Sequence, residues 1–266
     1  MPEGDTLHRT AARLRPALLE REVLACEVPR AVGPVPSPGE SVTDVRAVGK
    51  HLLVSFDGGL TLRSHLRMTG SWHLARPTDR WPRPRHLMRA RIQVADWQAL
   101  CFSAPVVEVV RTDRLGSASG PLGHLGPDLC LEGADSPEVV AECVRRMAAL
   151  DPSTPIGDVL LDQRVACGVG NVYRSEVCWA EGVHPWTPLW SVDESTRTRL
   201  VHRATTQLRA NLGPGARTTV PGGLAVYGRR GEPCRRCATP VESEVGGHSA
   251  RVAYWCPRCQ PTPLGG

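Results

Sequence analysis

Cys234, Cys237, Cys256 and Cys259 stand as Cys-x2-Cys, eighteen residues, then Cys-x2-Cys. Two thiolates three positions apart on a tight turn grip one side of a tetrahedral ion, and a second matching pair closes it. The competing readings are two disulfides or a redox motif. An intracellular chain disfavours stable disulfides, and the second pair disfavours a lone redox couple. The spacing therefore predicts a zinc ribbon of short strands and turns over roughly the last forty residues. A closed four-thiolate site has no open coordination position, so this one zinc ion is expected to be structural. Cys26, Cys101, Cys130, Cys143, Cys167 and Cys178 lie in apolar surroundings and read as small buried hydrophobes.

Ahead of the ribbon the pattern changes twice. Leu7, Ala11, Leu14 and Leu18 recur at helical spacing and predict an amphipathic helix over 4–20. From Ser41 to Val110 the chain reads as short strands. They include Leu52–Phe56 and Leu60–Leu62 around the turn Asp57-Gly58-Gly59, then Ala90–Val94 and Leu100–Val110. Residues 116–126 are rich in Gly, Ser and Pro and read as a linker. Helical segments follow at 137–150, 155–161, 171–180 and 191–212. The fold class is α+β, with a β domain over 1–115, a linker over 116–130, a helical domain over 131–224 and the zinc ribbon over 225–262. A chain of 266 residues, 41% hydrophobic and 22% charged, is long enough for one large or two modest globular domains. No run of 18 uninterrupted apolar residues is present, which excludes a membrane span. Glu3 and Asp5 interrupt the N-terminus where a secretory signal needs an apolar core, so the protein is expected in the cytoplasm.

The formal net charge is +5, and of the 32 basic residues 31 are Arg and one, Lys50, is Lys. Arginine suits phosphate through its bidentate fork, although an arginine-biased genome produces the same excess. Unlike a guanidinium, an ammonium can lose and return a proton, so the one Lys is a candidate for acid–base work. The opening Met1-Pro2-Glu3-Gly4 adds a second candidate. Removal of Met1 leaves Pro2 as a free secondary amine, and an α-amino group titrates near 8. Beside the positive end of a helix dipole its neutral, nucleophilic form is favoured. Such an amine attacks an electrophilic carbon and passes through a Schiff base, with Glu3 beside it as general acid or base. The plain alternative is a helix start with a favourable first-turn carboxylate.

Two further stretches bear on this. Ser64-His65-Leu66-Arg67-Met68-Thr69-Gly70 sets a long apolar side chain beside a cation at a turn, a pair able to wedge into a base stack while touching phosphate. An ordinary core Met is the competing reading. Gly168-Val169-Gly170-Asn171 is a glycine-rich turn opening a helix, where backbone N–H groups face an anion.

Together these pieces resemble the formamidopyrimidine-DNA glycosylase and endonuclease VIII family across essentially the whole chain. The resemblance is carried, in order, by Pro2-Glu3-Gly4, Gly49-Lys50-His51-Leu52-Leu53, Ser64–Gly70, Leu125-Gly126-Pro127-Asp128, Leu160-Leu161-Asp162-Gln163, Gly168–Asn171, Arg230–Cys234, Arg251 and Cys256–Gln260. It implies an N-terminal β-sandwich with a flanking helix, then a helix–two-turns–helix domain and the four-cysteine ribbon. It also implies a DNA glycosylase with lyase activity. Pro2 would attack the sugar C1′ of a damaged nucleotide, Glu3 would protonate the ring oxygen, and Lys50 would serve the elimination that cuts the strand. Asn171, with Gly170 before it, would hold the DNA backbone. Arg251 would grip the phosphates flanking the lesion and assist the second elimination. Arg67 and Met68 would fill the gap left by the flipped nucleotide, and His124 aligns with a DNA-contacting position.

Within the family, the oxidised-purine branch carries an Asp-Pro-Arg-Arg-Phe-Gly loop that supplies two more intercalating residues. Residues 100–108 here read Leu-Cys-Phe-Ser-Ala-Pro-Val-Val-Glu and look like the endonuclease VIII branch, with its oxidised pyrimidines. Met68 resembles the purine branch's wedge, and Thr6 stands where many members have Glu. The expected partner is damaged DNA, duplex and also single-stranded or bubble, bound by a monomer in the bacterial cytosol. The alternatives are an oxidised-purine glycosylase, a binder that kept the fold without catalysis, and a metabolic enzyme with an incidental ribbon. The second would have lost Pro2, Glu3 or Lys50, and all three are present.

Overall fold

The fold is described from a computed structural model, which covers residues 2–247 and 250–262. The chain divides into two compact units, Met1–His124 and Leu125–Gly266.

The first unit opens with helix α1, Gly4–Leu18, which presents Leu7, Leu14 and Leu18 to the core at 1% exposure or less. Burying three leucines contributes ~1.5–3 kcal/mol each. Pro16 is tolerated because the helix ends two residues later, so its missing N–H costs only the last turn. The strands β1 (Ala25–Glu27), β2 (Val42–Val48), β3 (His51–Phe56), β4 (Leu60–His65), β5 (Ser71–Ala75), β6 (Met88–Gln93), β7 (Gln98–Phe102) and β8 (Val106–Arg111) follow. They form two four-stranded antiparallel sheets, ordered β1-β6-β7-β5 and β2-β3-β4-β8. Val45, Leu52, Val54 and Leu62 from one sheet and Trp72, Ile92, Ala99 and Cys101 from the other share one core with α1.

The single strand expected over Leu100–Val110 is two strands in different sheets. Ser103 takes the left-handed conformation (φ +52°) and Pro105 has no N–H for a ladder, so the chain leaves one sheet after Phe102 and enters the other at Val106.

The second unit carries α2 (Pro137–Ala148), α3 (Ile156–Leu161), α4 (Asn171–Glu181) and α5 (Glu194–Ala210), then the hairpin β9 (Glu242–Gly246) and β10 (Arg251–Trp255). Ser136 and Asp193 cap α2 and α5 through their side-chain oxygens, and Gly182 ends α4 in the left-handed conformation. The helices close over a core that includes Leu129, Ile156, Tyr173, Val177, Leu200 and Leu208. No helix among the described residues is long and apolar enough to cross a membrane.

Candidate active site

In the first unit, Pro2 is partly exposed and precedes Glu3, the N-cap of α1, whose residue is fully buried (0% exposed). Met1, whose removal the sequence reading expects, lies outside the described residues. Thr6 fills the third helical position, where its hydroxyl accepts from the Glu3 backbone N–H (3.4 Å) and donates to Asp5 (3.3 Å). Position 6 thus supplies a cap that fixes the Glu3 backbone, and no carboxylate. Asp5, also fully buried, pairs with Arg9 at 3.5 Å.

Lys50 sits in the two-residue turn joining β2 to β3, with Val48 opposite His51 across the ladder. Gly49 has φ +54° at the first turn position, the arrangement of a II′ hairpin, which suits a glycine there. The C-terminal end of α1 is fastened to the start of β2: Arg15 donates to the Val45 carbonyl at 3.0 Å and pairs with Asp44. The chain just past the helix bonds Val42 in both directions. From that anchor the helix runs back to Glu3 over ~18 Å and the strand runs on to Lys50 over ~20 Å. Since α1 packs along β2 and β3, Pro2, Glu3 and Lys50 fall at the same end of the sheet.

Two histidines that sequence reasoning did not single out lie beside Lys50. His51 and His65 face each other across β3 and β4, their rings edge to face at 4.8 Å. Glu108 accepts from Arg63 Nε (2.8 Å), and Arg63 Nη1 lies 3.1 Å from His51 Nδ1. A guanidinium has only protons to give, so the proton of His51 is on Nε2. The Arg67 backbone N–H likewise donates to His65 Nδ1 (3.1 Å), leaving its proton on Nε2. Burial, then the neighbouring His65, Arg63, His124 and Arg67, depress His51 to about 3. Burial, then Arg67, Lys50 and Arg63, depress His65 to about 4. Both rings are therefore neutral donors at neutral pH. The signal available in sequence was the pair of histidines on adjacent strands, one next to the lone Lys.

The sign of the pH effect follows. In the unfolded chain an imidazole titrates near 6.5, so below that pH the unfolded state takes up a proton that buried His51 refuses. Stability falls as the pH drops from 6.5 toward 3, by about 2 kcal/mol from this residue at pH 5. Urea midpoints at pH 7 and pH 5 should differ less in His51→Gln than in the parent chain.

The loop 66–70 projects Arg67 and Met68. Leu66 is buried, the Gly70 N–H closes the loop on the Leu66 carbonyl (2.9 Å), and Met68 is 68% exposed. A side chain at Gly70 would stand 2.7 Å from the Leu66 carbonyl oxygen, so only glycine closes this turn. Arg67 adopts φ +49° and Thr69 donates to the Ser103 carbonyl at 2.9 Å, which together fix the loop. Met68 is thus a surface side chain, and the core-Met reading is set aside. His124 is exposed at the end of this unit, close enough to His51 to lower its pKa.

In the second unit, Gly170 is the N-cap of α4 and Asn171 its first residue, 6% exposed. Asn171 Nδ2 donates to the Val252 carbonyl at 2.8 Å. Arg174, fully buried, donates to the same carbonyl at 2.8 Å and to that of Arg251 at 3.4 Å. The helix start is thereby tied to the strand that begins with exposed Arg251. Glu176, absent from the sequence reading, is also fully buried: its carboxylate accepts from the N–H groups of Ala225 (2.7 Å), Val226 (2.9 Å) and Tyr227 (2.8 Å), and from the Thr219 hydroxyl. It organises the loop between α5 and the ribbon. Its signal in sequence was an acid directly before the apolar Val177-Cys178-Trp179 of α4.

The sulfurs of Cys234, Cys237, Cys256 and Cys259 lie within 4.8 Å of one another, with separations of 3.4, 3.5 and 3.9 Å. A tetrahedron with zinc–sulfur bonds of ~2.3 Å has edges of ~3.8 Å, so the four thiolates fit one structural zinc ion. Hydrogen bonds from the Thr239 side chain and backbone pull Cys237 down to about 6, and Trp179 Nε1 donates to the Cys234 sulfur at 3.3 Å. Gln260, fully buried, accepts from the Cys256 N–H (2.9 Å) and donates to the Val183 carbonyl (2.8 Å), docking the ribbon beyond α4.

Three family models match in order: the formamidopyrimidine-DNA glycosylase N-terminal domain over residues 1–105, its H2TH domain over 125–220, and the zinc finger found in FPG and IleRS over 231–262. The chain is 42% identical to the probable endonuclease 8 2 of Streptomyces coelicolor, over 99% of its own length and 95% of the relative's. It is 40% identical to the DNA-(apurinic or apyrimidinic site) lyase Nei2 of Mycolicibacterium smegmatis, over 98% and 99% of the two chains. It is 30% identical to endonuclease 8 of Escherichia coli, over 98% and 100%. Among solved structures, the Lactococcus lactis Fpg complex with DNA containing an oxidised pyrimidine superposes with a TM-score of 0.82 at 23% identity, covering 98% of this chain and all of that one. At that identity the superposition speaks for the fold alone.

Proposed function

The chain belongs to the formamidopyrimidine-DNA glycosylase and endonuclease VIII family, and from that membership we propose that its lesions are oxidised pyrimidines. It is a bifunctional DNA glycosylase and AP lyase of base excision repair. The observation that carries the chemistry is Glu3, fully buried directly after Pro2, at the end of the sheet that also bears Lys50.

The steps follow from these groups. The neutral Pro2 nitrogen attacks C1′ of the damaged nucleotide, a C–N bond forms, and the glycosidic bond breaks with its electron pair leaving on the base, which takes up the proton that the Pro2 nitrogen sheds. Glu3 delivers a proton to the ring oxygen as the sugar opens, giving an iminium at Pro2. That cation acidifies C2′, so loss of a C2′ proton expels the 3′ phosphate, and Lys50 is placed to move protons in this elimination. Once elimination is complete, water cleaves the iminium and returns Pro2 as an amine. Arg251, fixed by Asn171 and Arg174 through its own strand, neutralises the flanking phosphate and assists the second elimination. Met68 occupies the space the nucleotide vacates, with Arg67 beside it.

The pyrimidine assignment is supported by the connection between β7 and β8. Ser103-Ala104-Pro105 joins the strands with small residues and no aromatic or arginine wedge. Met68 then stands as the apolar wedge of its unit, and a site with one wedge tolerates unpaired partners. We accordingly assign a monomer acting on duplex, bubble and single-stranded DNA in the bacterial cytosol. A cleavage panel of oligonucleotides with one oxidised pyrimidine or one oxidised purine tests the assignment. Pyrimidine strands should be cut at least about tenfold faster in kcat/KM. Faster cutting of the purine strands would transfer the chain to the other branch, the reading that exposed Met68 favours.

A further inference from the structure

The segment from Arg76 to Arg91, between β5 and the end of β6, holds Arg76, Arg80, Arg83, Arg85, Arg89 and Arg91 against one acid, Asp79. Arg91 is paired with Glu27, and Arg76 lies over the Trp97 ring at 3.9 Å. Arg80 and Arg83 are exposed and make no hydrogen bond or ion pair among the described residues. Arg85 is exposed and lies over the Trp81 ring at 4.4 Å. Three like charges gathered on one loop, with no ion pair among the described residues, repel one another, an arrangement that an anionic partner relieves.

The loop is also held in shape. Trp81 meets Phe102 edge to face at 5.9 Å, and Pro82 and Pro84 bracket Arg83. Pro84 has φ −56° and ψ 141°, an extended conformation that its ring fixes in advance. A cation on such a loop loses little further freedom when it meets a ligand. The loop is joined, through one residue, to the wedge. The Leu87 carbonyl accepts from the Ser103 N–H at 2.8 Å, and the Ser103 carbonyl accepts from the Thr69 hydroxyl at 2.9 Å.

We propose that the arginine loop around Trp81 is a second phosphate-binding surface, continuous with the Met68 wedge, that grips the sugar–phosphate backbone of DNA beside the wedge. The proposal rests on the DNA-repair reading above and adds to it a contact surface outside the catalytic groups.

Salt titration tests it. Each phosphate neutralised on duplex DNA adds about 0.9 to the slope of log affinity against log salt. Binding of the full-length zinc-loaded protein to a duplex with a non-cleavable abasic-site analogue is measured from low to high salt. The double variant Arg80→Ala/Arg83→Ala should lose about 1.8 of slope and bind about 10- to 100-fold more weakly at 0.1 M salt. The charge-matched control Arg21→Ala/Arg30→Ala removes two exposed arginines that likewise lack ion pairs among the described residues, and should leave the slope unchanged. Single-turnover cleavage at saturating enzyme should be the same in all three proteins. An unchanged slope in the loop variant, or equal losses in loop variant and control, would overturn the proposal. If the parent protein itself fails to bind the duplex, the DNA-repair reading falls and takes the loop with it.

Discussion

Glu3→Gln should release damaged bases ~10²–10⁴-fold more slowly than the parent enzyme, the usual worth of a positioned general acid. Glutamine keeps the size of the side chain and its capping backbone, and Thr6 still accepts from the residue 3 N–H. What it removes is a proton that can be given up. Base release needs that proton, because the closed sugar must open as C1′ is attacked. A preformed abasic site already equilibrates with an open aldehyde, so the variant should still condense with it and cut it at a rate close to that of the parent. Single-turnover rates on a lesion duplex and on an abasic duplex separate the two. Equal losses on both substrates would assign Glu3 to structure and leave the acid to another group.

Removing the zinc should have the second large effect. Binding to a structural four-ligand site is worth about 10–16 kcal/mol in isolated zinc-finger peptides, and a two-stranded hairpin such as β9–β10 is marginal by itself. The contacts that carry Arg251 pass through this hairpin: Asn171 and Arg174 bond the Val252 carbonyl, and Gln260 bonds Val183. They presuppose a β10 held in place by Cys256. Chelation until one equivalent of zinc appears in solution should abolish binding to abasic duplex. It should also change the near-ultraviolet signal of Trp179 and Trp255, which pack around the ribbon. The β-sandwich core of the first unit contains none of these residues and should stay folded. Full affinity after zinc loss would show that the hairpin is held without the ion.

The sequence made some parts of this protein plain and concealed others, for physical reasons. Helices with a one-sided apolar stripe were read within a few residues, as α1 and α2 show, because burial of one face imposes its period on the sequence. The zinc ribbon was plain because a tetrahedral ion demands four thiolates at fixed spacing. Lys50 stood out against 31 arginines. The break at Ser103 was missed because both flanking strands are hydrophobic, and periodicity does not register a change of sheet. Glu176, Arg174 and the His51–Arg63–Glu108 chain were missed for a different reason. Each is a polar group bonded to partners 12 to 78 positions away, which only the tertiary structure brings within hydrogen-bond reach.

Borohydride reduction during reaction with abasic-site DNA, followed by peptide mapping of the cross-linked protein, tests the central claim most directly. The account predicts a covalent adduct on the nitrogen of Pro2, with no Met1 attached, and weaker trapping in Pro2→Gly, whose N-terminal amine is a primary one. An adduct mapped to the side-chain amine of Lys50, or active enzyme in which Met1 remains bonded to Pro2, would contradict it.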